Sequence, residues 1–278
     1  MEPTEFAELN ELLTDLTGRA RQILGNSFVG AYLHGSFAVG DADIHSDCDF
    51  LIPVNKPVTP TQEAALRVLH DEIPTRAGHW TKHLEGSYPL LDELSSLDGL
   101  GARWLYVDHG WREMQWSTHC NSEVSRWSLR ECGVILDGPD PKVLVDPVPA
   151  EALKERMRQQ IPTAIDEMLG WISFDIAWAQ RYAVTTLCRM LCTLDRGRVV
   201  SKRAALQWAI QSLEPDWRPL FQQVLEDRSL GFDADAPPRP GSVRKALAFA
   251  DYAGAVTNRS RADRSGSSKS STSSSVRT

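Results

Sequence analysis

Two aspartates, Asp47 and Asp49, stand one residue apart in a segment whose residue types could bind a divalent cation. Because side chains alternate along a strand, both carboxylates would point to one face while Cys48 between them points to the core. Like charges that close repel each other, and the ion that best reconciles them is a hard cation with oxygen ligands, namely Mg²⁺. A lone Asp-x-Asp is more often a solvated strand end, so the neighbouring residues decide between the two interpretations.

Those neighbours favour a site for a phosphate-bearing ligand. Ten residues separate the pair Gly35-Ser36 from Asp47, and glycine allows backbone amides to approach a phosphate closely. The Ser36 hydroxyl would add one donor, and Ser46 could supply another. A third carboxylate, Glu85, lies in the predicted strand 80–88, where His83 and Ser87 share its face.

Three histidines lie near these motifs in the sequence, namely His34, His45 and His83. Each could transfer a proton or bind a metal. A structural histidine whose hydrogen bonds are satisfied is more common, and we favour that role for each of the three.

The elements that must position this segment alternate between strands and helices. Apolar residues recur at helical spacing in three segments, 4–24, 61–73 and 122–131. Short apolar or alternating runs bounded by Gly, Asp and Pro predict four strands, 28–33, 50–54, 80–88 and 133–137. The aromatic-rich segment 101–133 is otherwise hard to assign. This pattern predicts an α+β domain over residues 1–145.

The composition changes at residues 138–149, where four prolines interrupt any regular element. Five helical segments follow with short joints, which predicts an α-helical bundle over residues 146–258: 151–169, 171–194, 201–213, 217–225 and 242–255. From residue 259 to 278 the chain is rich in Ser and Arg, and we expect a disordered tail because it has little apolar surface to bury.

Composition restricts the classes of partner. The chain has 278 residues, 42% of them hydrophobic, and a net charge of -7. We therefore expect no extended nucleic-acid surface, since duplex binding needs a basic face, and a small or cationic acceptor suits the charge better. The five cysteines form no C-x-x-C pair, and no stretch resembles a signal peptide or a membrane span, so we expect a soluble, cytoplasmic protein with no membrane partner. Its oligomeric state is open, and we favour a monomer.

The Gly-Ser and Asp-x-Asp motifs between two hydrophobic strands resemble the nucleotidyltransferase signature of the polymerase-beta superfamily. That superfamily has a third carboxylate on a neighbouring strand, and Glu85 matches it. The resemblance implies that residues 1–145 form a nucleotidyltransferase domain with a mixed sheet and flanking helices. It also implies Mg²⁺ held by Asp47 and Asp49, ATP as co-substrate, and Glu85 as a third ligand or as general base.

The helical half carries a second resemblance. Residues 187–209 are similar to the C-terminal domain of streptomycin/spectinomycin adenylyltransferases, and residues 135–149 to that family's domain junction. The two resemblances together cover roughly residues 10–228. They imply that Arg189 and Lys202 bind the ATP phosphates. Without the family, a core salt bridge would suit Arg189 equally well, and Lys202 would be a solvated residue of the first helical turn.

The acceptor side departs from the family pattern. The aminoglycoside-modifying members of the family use an acidic residue to hold the cationic groups of the drug. Counted without gaps from Arg189, the matching position in this sequence is Ala179, and alanine cannot hold a cation. Asp166, Glu167 and Asp175 lie on nearby turns and could replace it, although solvated helix charge is the ordinary role of such residues. This departure weakens the case for an antibiotic as the acceptor.

Three hypotheses follow. The first is an adenylyltransferase that transfers AMP to a hydroxyl of an aminoglycoside-like or other small acceptor. The second is AMP transfer to a protein or tRNA, as in toxin and antitoxin relatives of the superfamily. The third is a nucleotide-binding module without turnover, and the presence of all three carboxylates counts against it.

Overall fold

The structure of the protein is a computed structural model that describes residues 2–233 and 235–270. The chain separates into two compact units, and the boundary falls between Val148 and Pro149. The first unit combines strands and helices, and the second is helical. The mixed α and β composition predicted from the sequence is therefore confirmed.

The first unit is built on a six-stranded sheet. Its elements are α1 (Ala7–Leu24), β1 (Ala31–Leu33), α2 (Gly35–Ala38), β2 (Cys48–Leu51), α3 (Pro60–Glu72), β3 (Leu84–Tyr88), α4 (Leu91–Leu94), β4 (Trp104–Val107), β5 (Gln115–Ser117), α5 (Glu123–Cys132) and β6 (Val134–Asp137). The strand order is β5-β4-β3-β2-β1-β6. Strands β2 and β3 run parallel and every other neighbouring pair is antiparallel, so the sheet is mixed as predicted.

Both faces of the sheet are covered, which explains the apolar character of the central strands. Cys48 and Phe50 belong to a core cluster with Leu66 of α3, whereas Leu51 belongs to a second cluster with Leu129 of α5. The alternation along β2 thus directs successive side chains into two different cores. Only the beginning of the strand carries acidic residues, and these lie outside both clusters.

Local sequence signals fix the start of α3. Thr59 accepts a hydrogen bond from the backbone amide of Gln62, and the Gln62 side chain accepts one from the Thr59 amide, which completes a capping box. Pro60 occupies the first helical position, where its missing N–H leaves no hydrogen bond unmade.

The second unit contains six helices within its described residues: α6 (Ala150–Gln160), α7 (Ala164–Leu169), α8 (Ala177–Arg196), α9 (Lys202–Ser212), α10 (Arg218–Glu226) and α11 (Ser242–Ser270). Helix α8 contacts α6, α7, α9, α10 and α11, so it is the centre of the bundle. It ends at Gly197, whose positive φ of 66° gives the left-handed C-cap that glycine adopts without strain.

Several predicted boundaries shift. The strand expected from Trp80 begins at Leu84, because residues 80–82 form a 3₁₀ turn that buries the Trp80 side chain. The helix expected over 151–169 divides at Pro162, which lacks a backbone donor. The helix expected from Trp171 begins at Ala177, after a turn in which the Asp175 amide donates to the Ser173 hydroxyl.

Helix α11 continues past Ala255, where the apolar spacing predicted its end, and enters the segment 259–278 that we expected to be disordered. Residues 271–278 lie outside the described residues, so that expectation stays a prediction. Within the part of the chain that the structure describes, every helix is too short or too polar to cross a membrane.

Candidate active site

The three predicted carboxylates come together at one end of the parallel strand pair. Asp49 in β2 is the register partner of Glu85 in β3, and Asp47 directly precedes β2. All three residues are half-buried. Their oxygen donors, on two adjacent strands, fit a hard divalent cation, since Mg²⁺ binds through carboxylate oxygens and substrate phosphates. The role of Asp47, Asp49 and Glu85 as metal ligands stays a prediction.

Gly35 brings the backbone directly against this group. It follows β1 with a positive φ of 58°, and a Cβ atom at this position would lie 1.9 Å from Asp49 Oδ2. Only glycine allows that approach. The Gly35 amide donates to the Ser128 hydroxyl at 3.2 Å, and the His34 amide donates to the Asp49 carbonyl at 3.0 Å.

The two candidate phosphate-binding serines both take part in the loop that leads into β2. The Ser36 hydroxyl donates to the Asp47 carbonyl at 3.3 Å. The Ser46 side chain is buried, and its hydroxyl accepts from the Asp43 amide at 2.9 Å. Both hydroxyls therefore stabilise the loop that presents Asp47, and the phosphate contacts expected of them stay predictions.

Two histidines pair with two of the carboxylates. His109 Nδ1 lies 2.5 Å from Asp47 Oδ1, and His119 Nε2 lies 3.0 Å from Glu85 Oε1. The hydrogen bond to Asp47 raises the pKa of His109 above its usual range, and the bond to Glu85 does the same for the pKa of His119. Each imidazolium would partly neutralise the acidic cluster.

Sequence reasoning missed both partnerships. His109 lies just after β4 and His119 just after β5, and the sheet order places β4 beside β3. The available signal was the apolar run 104–107 followed by Asp108, His109 and Gly110, which is typical of a strand that ends at a polar turn. The pairing of β4 with β3 cannot be deduced from that signal.

His83 and His34 lie close to the carboxylates in different ways. One ligand atom from each of Asp47, His83 and His109 lies within 4.8 Å of the other two. Burial, and to a smaller extent the charge of His109, lowers the pKa of His83 to about 4. His34 is buried, and this burial lowers its pKa to about 4. Within the described residues its Nε2 atom has no hydrogen-bond partner, so His34 is not the fully satisfied structural histidine that we expected.

Comparisons with known proteins identify relatives along most of the chain. The family described as the aminoglycoside adenylyltransferase C-terminal domain matches residues 143–252. An aminoglycoside (3'')(9) adenylyltransferase of Escherichia coli is 25% identical over 259 residues, which cover 84% of this chain and 90% of that protein. A spectinomycin 9-adenylyltransferase of Staphylococcus aureus is 24% identical over 202 residues, with 69% of this chain and 75% of that protein covered.

A crystal structure shares the fold. The spectinomycin adenyltransferase of Enterococcus faecialis, solved with ATP and spectinomycin, superposes with a TM-score of 0.67 at 16% identity, over 89% of this chain and 98% of that one. This chain is aminoglycoside adenylyltransferase-like. The resemblance predicted from the sequence is thereby confirmed.

In this adenylyltransferase-like chain, the two cations assigned to phosphate binding lie in the helical unit. Arg189 is a half-buried residue of α8 whose Nε donates to the Val200 carbonyl at 3.4 Å. Lys202 is the first residue of α9, and Ser201 caps that helix by accepting from the Ala204 amide. Their contacts with ATP stay predictions.

The positions considered for acceptor binding also lie in the helical unit. Ala179 is fully buried in α8, so this position faces the core of the bundle. Asp166, Glu167 and Asp175 are exposed, and Glu167 accepts a hydrogen bond from the Thr163 hydroxyl at 2.7 Å. Burial thus adds to the chemical reason why Ala179 cannot hold a cationic acceptor.

Proposed function

We propose that this protein is a Mg²⁺-dependent nucleotidyltransferase that transfers AMP from ATP to a hydroxyl group of a small, aminoglycoside-like acceptor. The observation that carries the proposal is the pairing of Asp49 with Glu85 on adjacent parallel strands, with Asp47 directly before the strand of Asp49 and Gly35 packed against Asp49. The names of the relatives, adenylyltransferases for aminoglycosides and spectinomycin, support the same activity.

Asp47 and Asp49 would hold Mg²⁺, which when bound neutralises the triphosphate and the charge that develops on the leaving pyrophosphate. Glu85 acts as a further ligand or as general base. As a base, its carboxylate takes the proton of the acceptor hydroxyl while the acceptor oxygen bonds to the α phosphorus. The bond from the α phosphorus to the bridging oxygen breaks in the same step, and pyrophosphate leaves.

The proposed nucleotide-binding residues are those predicted from the sequence. We propose the backbone at Gly35 and the hydroxyls of Ser36 and Ser46 as donors to phosphate oxygens, with Arg189 and Lys202 as the counter-charges. The Ser46 hydroxyl would first have to release Asp43, so its part in binding is the weaker one.

An aminoglycoside-like acceptor fits the net charge of -7, because such molecules carry cationic groups. The exposed carboxylates Asp166, Glu167 and Asp175 are the proposed replacements for the acid missing at Ala179. Streptomycin and spectinomycin are the first acceptors to test, since the E. coli and S. aureus relatives are named for this class.

The decisive experiment supplies the purified protein with ATP labelled at the α phosphate, Mg²⁺ and either drug. We expect labelled AMP on the drug and one pyrophosphate released for each transfer. Glu85→Gln keeps the size of the side chain but removes the base, and we expect its rate to fall by about 10²–10⁴-fold.

The outcomes separate the alternatives. If neither drug were labelled, both antibiotics would be rejected as acceptors. Labelled AMP on a protein or tRNA in a lysate would instead identify a macromolecule as the acceptor. If ATP bound but no acceptor were labelled, the protein would be a nucleotide-binding module. Wild-type activity in Glu85→Gln would show that the catalytic assignment is wrong.

A further inference from the structure

Asp47 also belongs to a second group of potential ligands, whose two other members have no part in the proposed transfer. One ligand atom from each of Asp47, His83 and His109 lies within 4.8 Å of the other two. Ligand atoms about 2 Å from an ion lie about 3–4 Å from each other, so small side-chain rotations would close the group around one ion. The group is therefore compact enough for a metal site.

The side chains already contact each other in the folded protein. His109 Nδ1 lies 2.5 Å from Asp47 Oδ1, and the rings of His83 and His109 meet edge to face with centroids 4.7 Å apart. His83 also stacks on His79 at 4.2 Å, and the His79 ring bonds the Ile44 carbonyl, which restricts the position of the stack. Packing thus holds the ligands near one another before any ion binds.

The ligand atoms of this group differ from those of the carboxylate set, by which we mean Asp47, Asp49 and Glu85. Mg²⁺ prefers oxygen ligands, whereas a combination of two imidazole nitrogens and one carboxylate oxygen suits borderline transition metals such as Zn²⁺, Co²⁺ and Ni²⁺. Three protein ligands leave a further coordination position for water or a phosphate oxygen, as in many zinc sites of enzymes.

The His83 ring supplies an independent observation. Within the described residues, its buried Nδ1 atom has no hydrogen-bond partner. Buried polar atoms without a partner are uncommon in native proteins because their desolvation is not compensated. A metal ion bound by His83 would supply such compensation for the imidazole.

We propose that Asp47, His83 and His109 form a binding site for a borderline divalent transition metal of the Zn²⁺ class. Because Asp47 also belongs to the carboxylate set, an ion bound here would compete with Mg²⁺ and inhibit AMP transfer. That consequence rests on the proposed function, whereas the binding site itself does not.

The test measures binding of Zn²⁺ alone to the full-length protein by calorimetry, without ATP or acceptor. We expect one equivalent to bind, and His83→Gln and His109→Gln each to weaken binding by at least about tenfold. Co²⁺ gives a second readout, since its visible absorption reports nitrogen ligands and should weaken in both variants. His119→Gln is the matched control, because His119 also pairs with a carboxylate of this cluster but lies outside the group.

Thermal unfolding of each variant shows whether it is folded, and a tenfold loss in either folded variant supports the site. Absence of Zn²⁺ binding to the wild type, wild-type affinity in both histidine variants, or an equal loss in His119→Gln would overturn the proposal. Since no nucleotide is present, failure of this test leaves AMP transfer intact, and failure of the transfer assay leaves the metal site intact.

Discussion

At the residue scale, the proposed metal ligands depend on a glycine as much as on their own charges. Gly35 has a positive φ of 58°, and a Cβ atom there would meet Asp49 Oδ2 at 1.9 Å. Gly40 has a similar φ of 74°, yet a Cβ atom there would meet nothing within 4 Å. The two positions therefore share the cost of left-handed backbone but differ in their effect on Asp49.

We expect Gly40→Ala to lower the free energy of unfolding by about 1–2 kcal/mol, the cost of a non-glycine residue in this region, and to keep most of the activity. Gly35→Ala has the same cost in stability and also displaces the Asp49 carboxylate. The AMP-transfer activity of Gly35→Ala should therefore be at least about tenfold lower than that of Gly40→Ala. Urea unfolding and the AMP-transfer assay measure the two effects. Equal activity in the two alanine variants would contradict a role of Gly35 in placing Asp49.

The buried side chain of His70 makes the free energy of unfolding depend on pH. Its side chain is buried, its Nε2 lies 2.8 Å from the Tyr88 hydroxyl, and its ring stacks on Phe50. Burial, with a smaller effect of Arg19, lowers its pKa to about 3. Between about pH 6.5 and pH 3 the unfolded chain binds a proton that the folded protein does not, so the free energy of unfolding declines as pH falls through this window.

We therefore expect His70→Gln, which does not titrate, to lose less stability than the wild type between pH 7 and pH 5. The difference should approach about 2 kcal/mol, since each pH unit below the unfolded pKa contributes about 1.4 kcal/mol. Urea unfolding at both pH values measures it. His79→Gln removes an exposed histidine and is the control, and an identical pH dependence in His70→Gln and the wild type would refute the assignment.

At the element scale, helix α5 supports the site from the side opposite α3. Ser128 of α5 accepts the hydrogen bond of the Gly35 amide. The helix is anchored by Arg126, a fully buried residue whose guanidinium bonds the carbonyls of Glu93, Leu94 and Ser96. Arg126 also bonds the side chain of Asn121 at 2.6 Å and lies over the Trp104 ring. A buried charge is tolerated here because so many acceptors surround it.

We expect Arg126→Ala to lower the free energy of unfolding by at least about 3 kcal/mol, because several buried carbonyls lose their donor and each costs about 1–3 kcal/mol. Chemical denaturation measures this change. Arg112→Ala, which removes an exposed ion pair with Asp71, is the matched control and should cost at most about 1 kcal/mol. Similar losses in the two variants would show that Arg126 does not anchor α5.

The elements differ in how far the sequence predicts them. Helices α1, α3 and α5 were predicted from their apolar spacing, and Glu85 was correctly assigned to a strand. The strand predicted from residue 50 begins two residues earlier, at Cys48, so that it includes Asp49. Strand β4 was not predicted, because its apolar and aromatic residues suit a buried strand and a buried helix equally. Strand β5 was not predicted because it has only three residues, too few to show a period. For the same reason His109 and His119 were missed, since their pairing with carboxylates depends on the strand order.

At the scale of the whole molecule, the chain combines a sheet-based unit that carries the acidic residues with a helical unit that carries the proposed phosphate cations. The relatives match over 84% and 69% of this chain, so the similarity extends through both units. Local periodicity predicted helices in the second unit, but it could not assign a role to Arg189 or Lys202. Only the resemblance to a family assigns them to phosphate binding. For the acceptor the family pattern gives no support, because its acidic residue is replaced by Ala179.

The proposed roles of the two cations lead to a prediction for the complete protein. A charge-assisted hydrogen bond to a phosphate contributes about 1.5–3 kcal/mol, so Arg189→Gln and Lys202→Gln should each raise the KM for ATP by about tenfold or more. The KM for the acceptor should change little, because neither residue is assigned to it. Steady-state kinetics with each substrate varied in turn measure both constants.

Arg203 provides the control, since it is an exposed cation next to Lys202 on α9 and has no assigned role. Arg203→Gln removes the same net charge from the helical unit, so a general electrostatic effect would raise the KM for ATP equally in both variants. A selective effect of Lys202→Gln would instead identify a specific phosphate contact. If Arg189→Gln and Lys202→Gln both kept the wild-type KM for ATP, the family assignment of these two residues would not apply to this chain.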